Sequence, residues 1–503
     1  MKVFAYYLPQ YHRVPINDKW WGEGFTEWIS VRNAKPLYEG HYQPREPMND
    51  NYYSLLDKET MEWQADLMHE YGIDGMCFYH YWFSSEEQVL EKPAENLLVW
   101  KNIDMPFCFS WANESWLNKW SSREGFAWTD NEKEKKSELK YIFLQTYGRE
   151  NEWREHFEYL LPFFKDERYI KYNDKPLFVI HDVYTIPCLH EMLRLWNDMA
   201  IYNGFKGIYV IGGGIPDIYS CVDAYMTHEP GNVKKYINTY ASMPSRYSYK
   251  EASETILEQK YYKGTTMMYS TFCSYDTTPR YGKDGDVYEY VTPEFFCEHL
   301  SRLMAKNHMA GVDMVFIDAW NEWGEGMHLE PDEKYGFRWL EAVKQAKNDY
   351  KNYEADYRDI QYVTEYEKKV LCNVKKGELY GTILSRWMTL RENNVNVTDY
   401  LFTAGIERVV LYGLGIFSNH FLWECIRNNI DVVGAVDKSI HFVLENITLY
   451  QMTDKLPEAD AIIITAPYYT DSICEEIRKY DKDIKIISIY ELIILAEEKL
   501  IKR

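Results

Sequence analysis

Short apolar runs recur across the first 320 residues, and this recurrence limits the folds that the chain can adopt. The runs cover residues 3–8, 75–79, 107–111, 177–181, 208–211, 224–227, 266–270 and 314–317. Each run has the length of a buried strand, and most are separated by amphipathic stretches long enough for a helix. Because strands that alternate with helices favour a parallel sheet, the pattern predicts an α/β fold, a (β/α)8 TIM-type barrel with inserted loops. A doubly wound sheet is the competing arrangement.

Polar, ionisable and aromatic residues follow most of these runs. In chain order they include Gln10, His80, Trp82, Asn113, Glu114, His181, Glu229, Arg280 and Asn321. In a barrel the carboxyl ends of the strands meet on one face, which carries the active site. We therefore expect these residues to contribute to one shared site.

Two carboxylates stand just beyond the eighth run, in the segment 316–326, FIDAWNEWGEG. Gly324 and Gly326 disfavour a helix, so Glu322 and Glu325 are expected on a loop past the strand. Paired acids beside indole rings suit glycosidic-bond chemistry, because one acid can serve the bridging oxygen while the other handles the nucleophile. A solvated acidic loop is the alternative. Other acids that could complete or replace the pair are Glu23, Glu27 and Glu114.

Composition excludes some classes of function. The chain has 56 Lys and Arg against 78 Asp and Glu, a net charge of −22, which disfavours binding to nucleic acid. Nine Cys without a Cys-x-x-Cys pair predict free thiols in a reducing compartment. Neither a signal peptide nor a transmembrane segment is recognisable, so we expect a cytoplasmic protein, at most peripheral to the inner membrane.

Metal and nucleophile motifs are also missing from the sequence. The histidines show no ligand spacing, so we predict no metal site, and no Gly-x-Ser-x-Gly nucleophile motif occurs. The Asp284-Gly285-Asp286 element resembles the Asp-x-Asp of sugar-nucleotide enzymes, but a plain turn is the favoured interpretation. The aromatic share of 17% fits recognition of a polyhydroxylated ligand.

The last third of the chain has a different character. Residues 1–345 are predicted to form the barrel, 346–365 a linker or peripheral helix, and 366–503 a small Rossmann-like α/β domain. Gly413, Gly415 and Asp437 imitate part of a dinucleotide fingerprint, with Ser418 in place of the third glycine. This match is weak, and a structural turn without a nucleotide is equally compatible with it.

Several long motifs in the first 345 residues together resemble the WbsX-type proteins of bacterial polysaccharide loci. They are segments 5–12 (AYYLPQYH), 20–28 (WWGEGFTEW), 78–83 (FYHYWF), 111–116 (WANESW), 320–326 (WNEWGEG) and 329–332 (LEPD). That group is named for glycosyltransferases, yet it is similar to glycoside hydrolase family 99, the endo-α-mannosidases. The resemblance does not extend to the carboxyl-terminal residues.

The resemblance implies a (β/α)8 barrel and retaining chemistry without a cofactor. It assigns Glu322 the role of base on the 2-hydroxyl of the sugar, giving a 1,2-anhydro intermediate, and Glu325 the role of general acid and then base. Gly324 departs from the His of the hydrolases. The residues that we predict to bind substrate are Tyr7, Gln10, Trp21, Glu27, Trp28, Tyr79, His80, Trp82, Trp111, Asn113, Glu114, His181, Glu229, Arg280, Trp320 and Asn321.

Three functional hypotheses follow. The first is an enzyme of surface polysaccharide metabolism that cleaves or transfers a glycosyl unit on an oligo- or polysaccharide, with a lipid-linked form left open. The second is a glycosyltransferase that uses a sugar nucleotide. The third is a non-catalytic glycan-binding protein of polysaccharide assembly.

Overall fold

The computed structural model describes residues 1–117, 141–216, 221–438 and 447–501. Its larger part is an α/β unit to which each of the apolar runs contributes a strand. The strands are β1 (Lys2–Tyr7), β2 (Gly75–Trp82), β3 (Phe107–Trp111), β4 (Lys175–Ile180), β5 (Tyr209–Gly213), β6 (Ala224–Met226), β7 (two pieces, Met267–Met268 and Thr271–Phe272) and β8 (Met314–Asp318).

These strands form one curled, parallel, barrel-like sheet. From β1 to β6, neighbours along the chain are neighbours in the sheet. The first piece of β7 pairs with β6 and the second piece with β8. Strand β8 then pairs in parallel with β1, with Met314 opposite Lys2 and Ile317 opposite Ala5. The pairing thus returns to the first strand, which the alternative, a doubly wound sheet, would not do.

Helices lie outside most of these strands. They are α1 (Pro15–Trp21), α2 (Glu27–Asn33), α3 (Lys58–Glu70), α4 (Lys92–Val99), α5 (Glu150–Lys165), α6 (Leu189–Tyr202), α7 (Tyr249–Glu258), α8 (Thr278–Tyr281), α9 (Pro293–Met309) and α10 (Arg338–Asp349). Within the described residues, no helix lies between β5 and β6. Single 3-10 turns cover Met48–Asp50, Val183–Thr185, Val233–Lys235, Gly282–Asp284 and Trp323–Glu325.

Local sequence signals account for these helices. Helix α9 begins with Pro293 after Thr292, whose hydroxyl accepts the N–H of Phe295, a standard N-cap arrangement. Helix α3 buries Met61, Ala65 and Met68 on one face, at the helical spacing of the sequence. Strands β3 and β8 are buried along their whole length, as expected for parallel strands covered on both faces.

Short strands form hairpins and small sheets beside the main one. They are Gln88–Val89, Trp116–Leu117, Tyr141–Phe143, Lys171–Tyr172, Ala241–Ser242, Ser245–Ser248, Asp286–Glu289, Asn321–Glu322 and Met327–His328. The pair Asn321–Glu322 and Met327–His328 matters most, because it carries one of the predicted acids.

The carboxyl-terminal residues form a second parallel sheet, with strands β9 (Arg408–Tyr412), β10 (Asp431–Val436), β11 (Leu449–Tyr450), β12 (Ala461–Ile464) and β13 (Lys485–Ser488). Their spatial order is β11, β10, β9, β12, β13. The helices of this unit are α11 (Glu365–Glu392), α12 (Asp399–Thr403), α13 (Ile416–Arg427), α14 (Thr470–Tyr480) and α15 (Ile489–Ile501). The assignment to the Rossmann class and the domain bounds stay predictions.

Helix α11 follows the 3-10 helix Tyr350–Tyr357 and connects the two units. It begins with a capping box, since Thr364 and Glu367 each accept the backbone N–H of the other. Ion pairs join the units, among them Lys260 Nζ with Glu367 Oε1 at 2.7 Å, Arg149 Nε with Glu491 Oε1 at 3.0 Å and Arg478 Nη2 with Glu191 Oε2 at 3.4 Å. No described helix is both long and apolar enough to cross a membrane.

Candidate active site

The two predicted acids lie on a tight hairpin directly after β8. Glu322 ends the short strand Asn321–Glu322, and Glu325 ends the 3-10 turn Trp323–Glu325. Gly326 closes the turn with φ of 62°, a left-handed conformation that glycine adopts without strain. The hairpin therefore presents both carboxylates at the carboxyl end of the sheet.

One arginine joins three carboxylates at this place. Arg280 comes from α8, which follows β7. Its Nε donates to Glu27 Oε1 at 2.7 Å, its Nη2 donates to Glu322 Oε2 at 2.9 Å, and its Nη1 donates to Glu325. All four side chains are largely buried. We call this set, Glu27, Arg280, Glu322 and Glu325, the arginine–carboxylate cluster.

Gly324 makes room for the cluster. A Cβ atom at this position would lie 1.9 Å from Glu27 Oε1 and 2.9 Å from Arg280 Nε. Cβ atoms do not approach other atoms so closely, so any larger residue requires a different placement of both side chains. Glycine at position 324 is thus tied to the pairing of Glu27 with Arg280.

Burial controls the protonation of the acids. It raises the pKa of Glu322 and Glu325, and the Arg280 charge opposes the rise. The pKa of Asp318 is well above its usual range, because burial and the charges of neighbouring carboxylates act in the same direction. Burial also raises the pKa of Glu229 to about 7. Carboxyl groups that hold a proton near neutral pH are suited to general acid–base chemistry.

These acids border a cavity of about 340 Å³ at the carboxyl ends of the strands. Of the predicted site residues, the cavity is lined by Gln10, Trp21, Glu27, Tyr79, Glu114, His181, Glu229, Arg280, Glu322 and Glu325. The structure therefore brings these residues, which are distant in sequence, together at the carboxyl ends of the strands.

Other predicted site residues lie away from this cavity, in the packed interior. They are Tyr7, Trp28, His80, Trp82, Trp111, Asn113, Trp320 and Asn321. The structure does not bring these residues to the cavity, and most of their polar groups have hydrogen-bond partners inside the fold. A role for them in substrate binding stays a prediction.

Strand alternation explains the placement of three of these residues. His80 Nε2 lies 2.8 Å from His156 Nε2 on α5, and the Trp82 ring stacks on the same imidazole with centroids 4.4 Å apart. The indole N–H of Trp111 donates to the carbonyl of Trp82. Successive side chains of a strand point to opposite faces, so Tyr79 faces the cavity while His80 faces the helix layer.

The remaining residues of this group connect different elements of the fold. The side-chain amide of Asn321 accepts the backbone N–H of Leu8 and donates to the Leu8 carbonyl. The side-chain amide of Asn113 donates to the Asp182 carbonyl at 2.7 Å. The Tyr7 hydroxyl donates to Gln64 on α3. The indole of Trp28 donates to the Tyr53 carbonyl, and that of Trp320 donates to Glu330.

Glu330 stabilises the hairpin that carries Glu322 and Glu325. Its Oε1 accepts from Trp320 Nε1 at 2.9 Å and Gln64 Nε2 at 2.7 Å, and its Oε2 accepts from Trp323 Nε1 at 2.7 Å and Tyr53 Oη at 2.8 Å. Burial raises its pKa to about 7, although four donors oppose the rise. The two tryptophans flanking Glu322 are thus fixed by one buried carboxyl group.

The residues predicted to bind substrate do not include several that line the cavity. The omitted residues are Tyr81, Asp318, His228 and Tyr275 among others. Strand alternation could have identified Tyr81, because it lies on the same face of β2 as Tyr79. The His181 and His228 rings approach to 4.3 Å between centroids, a contact between ends of β4 and β6 that no local spacing encodes.

The candidate nucleotide residues lie in the second sheet. The turn 413–415 leads from β9 into α13, a strand–turn–helix order. Asp437 accepts the backbone N–H of Leu414, and Ser418 Oγ donates to the Gly415 carbonyl at 2.7 Å. The acid therefore bonds the turn itself, and nucleotide binding there stays a prediction. Within the described ranges, no group of three or more His, Cys, Asp or Glu residues is arranged to hold a metal ion.

The chain is an α/β protein whose parallel, barrel-like sheet carries paired acids at the carboxyl ends of its strands. The sequence profile described as Glycosyltransferase WbsX matches residues 3–343. The chain belongs to this WbsX family.

Comparison with individual proteins gives further similarities. An uncharacterized protein WxcX from Xanthomonas campestris pv. campestris strain B100 is 31% identical over 363 residues, covering 68% of this chain and 49% of the relative. Its counterpart in strain ATCC 33913 gives the same values. The chain spans about half the length of these curated relatives.

Solved structures with a similar course of the chain include glycoside hydrolases. The GH99 endo-alpha-mannosidase from Bacteroides thetaiotaomicron is 14% identical, with 70% of this chain and 98% of that chain covered and a TM-score of 0.42. A glycoside hydrolase-like protein is 12% identical, with coverages of 69% and 93% and a TM-score of 0.42.

Proposed function

We propose that this protein is a carbohydrate-active enzyme that cleaves or transfers a glycosyl unit, with Glu322 and Glu325 as the reacting acids. The observation that carries the proposal is the arginine–carboxylate cluster, which holds both acids side by side at the edge of a cavity. Their raised pKa values and the surrounding aromatic side chains support it. The role in surface polysaccharide metabolism and a cytoplasmic site of action belong to the same proposal.

The proposed reaction has two steps and retains the anomeric configuration. Glu322 removes the proton of the 2-hydroxyl, whose oxygen attacks C1 of the sugar, while Glu325 protonates the departing oxygen. Glu325 then removes a proton from water or a second hydroxyl as that oxygen attacks C1, and the bond from O2 to C1 breaks with return of the proton from Glu322. Burial of both acids suits this exchange, because each must carry a proton in one step and release it in another.

The test uses single carboxamide variants on bacterial surface polysaccharides, with release of reducing ends and transfer to a labelled sugar as readouts. Glu322→Gln and Glu325→Gln should each lower turnover by about 10²–10⁴. Glu23→Gln, at a carboxylate that is 86% exposed, is the control and should keep wild-type turnover. Full activity in either site variant would refute the proposed roles.

A glycosyl fluoride separates the two roles. Fluoride leaves without much help from an acid, so Glu325→Gln should recover part of its lost first-step rate with this donor. Glu322→Gln should remain slow, because the 2-hydroxyl still needs a base. Equal behaviour of the two variants would contradict the division of roles.

The description of the family favours a second candidate, a glycosyltransferase that uses a sugar nucleotide. Calorimetric titration of the full chain with UDP, GDP and their sugar derivatives tests it. Saturable binding that Asp437→Asn weakens would support a nucleotide in the second sheet, whereas no heat at millimolar ligand would remove this candidate.

A further inference from the structure

A second cavity, of about 490 Å³, lies between the barrel-like unit and the carboxyl-terminal sheet. We call it the inter-unit cleft. One wall is formed by residues 181–187, which follow β4, and another by residues 375–382 on α11. The third wall comes from Pro467, Tyr468, Thr470 and Asp471, which follow β12, and from Ser488 and Tyr490 at the end of β13. The carboxyl ends of strands from both sheets thus face the same space.

The cleft continues into the cavity of the candidate active site. Glu114, His181, His228 and Gly231 line both spaces. The histidines can come this close because Gly213 has no side chain: a Cβ there would lie 1.8 Å from the His181 carbonyl oxygen and 2.7 Å from His228 Nε2. A ligand in the first cavity can therefore extend past the two histidines into the second.

Two imidazole nitrogens at the junction lack a hydrogen-bond partner in the described part of the chain. His181 Nδ1 and His228 Nε2 are buried and have no hydrogen-bond partner among the described residues. The other nitrogen of His228 lies 3.2 Å from the Tyr6 hydroxyl, which fixes the ring. Buried polar atoms without a protein partner are uncommon, so these two nitrogens mark the junction as a place of unmet hydrogen-bonding capacity.

The charges of the cleft indicate the class of ligand. Its lining includes the carboxylates Glu114, Asp182, Glu378 and Asp471 and the ammonium groups of Lys235 and Lys375. Because acids outnumber these cations two to one, a nucleoside diphosphate would meet net repulsion. The lining also includes Tyr468, which is partly exposed, and a tyrosine ring of this kind packs on the apolar face of a sugar. The other two tyrosines of the lining have partners in the protein: Lys375 Nζ lies 3.7 Å from the centroid of the Tyr184 ring, and the hydroxyl of the buried Tyr490 accepts from Arg386.

We propose that the inter-unit cleft binds the uncharged part of the saccharide chain that continues beyond the reacting sugar. The inference rests on the proposed function, in which the reacting sugar occupies the first cavity. Each cavity falls in the range of about 300–1,000 Å³ that is typical of ligand pockets, so the two together accommodate an extended ligand. The carboxyl-terminal unit, which lies outside residues 3–343, would then determine which chains are accepted.

The test blocks the cleft from its exposed wall. Thr382 is exposed on α11 and lines the cleft, so Thr382→Trp fills space without removing a buried contact. The control is Thr389→Trp, an exposed threonine two turns further along the same helix and outside the cleft. The probes are uncharged oligosaccharides of increasing length, prepared from bacterial surface polysaccharides and titrated against the full chain by calorimetry.

The wild type should bind longer oligosaccharides more tightly until both cavities are filled. Thr382→Trp should lose at least tenfold in affinity for the longest probes and keep its affinity for the shortest, while Thr389→Trp should match the wild type throughout. Equal affinity of Thr382→Trp and the wild type for the longest probes would overturn the proposal. So would an absence of binding to every probe, or binding of UDP or GDP that Thr382→Trp abolishes.

Failure of this inference is distinguishable from failure of the proposed function. Glu322→Gln and Glu325→Gln should lose turnover but keep the dependence of affinity on chain length. Retained turnover in those variants would refute the acid roles and leave the cleft result intact, whereas a length effect that Thr382→Trp does not change would refute the cleft alone.

Discussion

Alanine at position 324 should destabilise the protein through one specific overlap. The new methyl group would lie 1.9 Å from Glu27 Oε1 and 2.9 Å from both Glu27 Cδ and Arg280 Nε. Because these atoms belong to the two partners of one ion pair, 2.7 Å long, the methyl group cannot be accommodated while the pair keeps its geometry. The pair is buried, with exposed fractions of 19% for the Arg280 side chain and 4% for that of Glu27.

The expected loss follows from the kind of interaction that breaks. Breaking a buried ion pair costs about 3–5 kcal/mol, because one charge remains buried without a partner. Gly324→Ala should therefore lower the free energy of unfolding by about 3 kcal/mol or more. Arg280 also holds Glu322 and Glu325, so turnover should fall with stability.

Urea unfolding followed by tryptophan fluorescence measures the loss, with a second glycine as control. Gly377 lies in an exposed stretch of α11, and no described atom lies within 4 Å of the point that a Cβ would occupy there. Gly377→Ala should therefore stabilise the protein by about 0.5–1 kcal/mol. The two glycine-to-alanine changes should thus have opposite signs.

A double-mutant cycle with Glu27→Ala tests the assigned cause. In the background of Glu27→Ala, the overlap with the carboxylate is gone and Gly324→Ala should cost much less than in the wild type, which is a favourable coupling between the two positions. A loss within about 0.5 kcal/mol in the single variant, typical of surface positions, would refute the reasoning. So would a Gly324→Ala loss that is unchanged by Glu27→Ala.

Two further variants test the electrostatics of the site by urea unfolding. Arg280→Met removes the charge that opposes the raised pKa of Glu322, so this pKa should rise further above its unfolded value. A carboxyl group whose pKa is raised by folding contributes stability at low pH, and this contribution is lost as pH rises. Arg280→Met should therefore be more destabilising at pH 8 than at pH 5, and equal losses at the two pH values would contradict this. The control is Arg13→Met, at an exposed arginine. Glu330→Leu leaves four buried donors without an acceptor and should cost about 4 kcal/mol or more, whereas Glu341→Leu on the exposed face of α10 should cost little.

Much of the sheet is predictable because each parallel strand has a local signature. A buried strand is a short apolar run in the sequence, and the runs at 107–111 and 314–317 coincide with β3 and β8 nearly residue for residue. Their order in the sheet follows from right-handed crossovers between consecutive strands. The split of β7 into two pieces has no such local signal, since it depends on pairing with two different neighbours.

The site is predictable only in part, because position at a strand end does not give side-chain direction. Tyr79 and His80 are adjacent at the end of β2, yet one lines the cavity and the other bonds His156 on α5. Alternation along a strand separates them, provided that one face is already known. The aromatic residues near Trp111 in the sequence predict that Trp111 belongs to the site. In the structure its indole N–H donates to the Trp82 carbonyl in the interior.

Arg280 shows what local sequence patterns cannot supply. Its place after a strand predicts a substrate contact, and nothing in its surrounding sequence pairs it with Glu27, 253 positions away, or with Glu322. Such pairs arise only when distant strand ends converge on one face. Glycine at position 324 reflects this convergence, because the Glu27 side chain, and not the local turn, leaves no room for a Cβ atom there.

The arginine–carboxylate cluster and the inter-unit cleft together bear on whether the sugar is passed to water or to another saccharide. In the proposed reaction, a sugar that reaches Glu322 and Glu325 competes with Arg280 for hydrogen bonds to their carboxylates. Substrate binding is therefore coupled to the release of these two acids from Arg280. The next group to attack C1 then depends on what occupies the junction at His181 and His228. A saccharide held in the cleft would place a hydroxyl there and exclude water, favouring transfer. Thr382→Trp should therefore shift products from transfer toward hydrolysis, and an unchanged product ratio despite weakened binding would separate acceptor choice from the cleft.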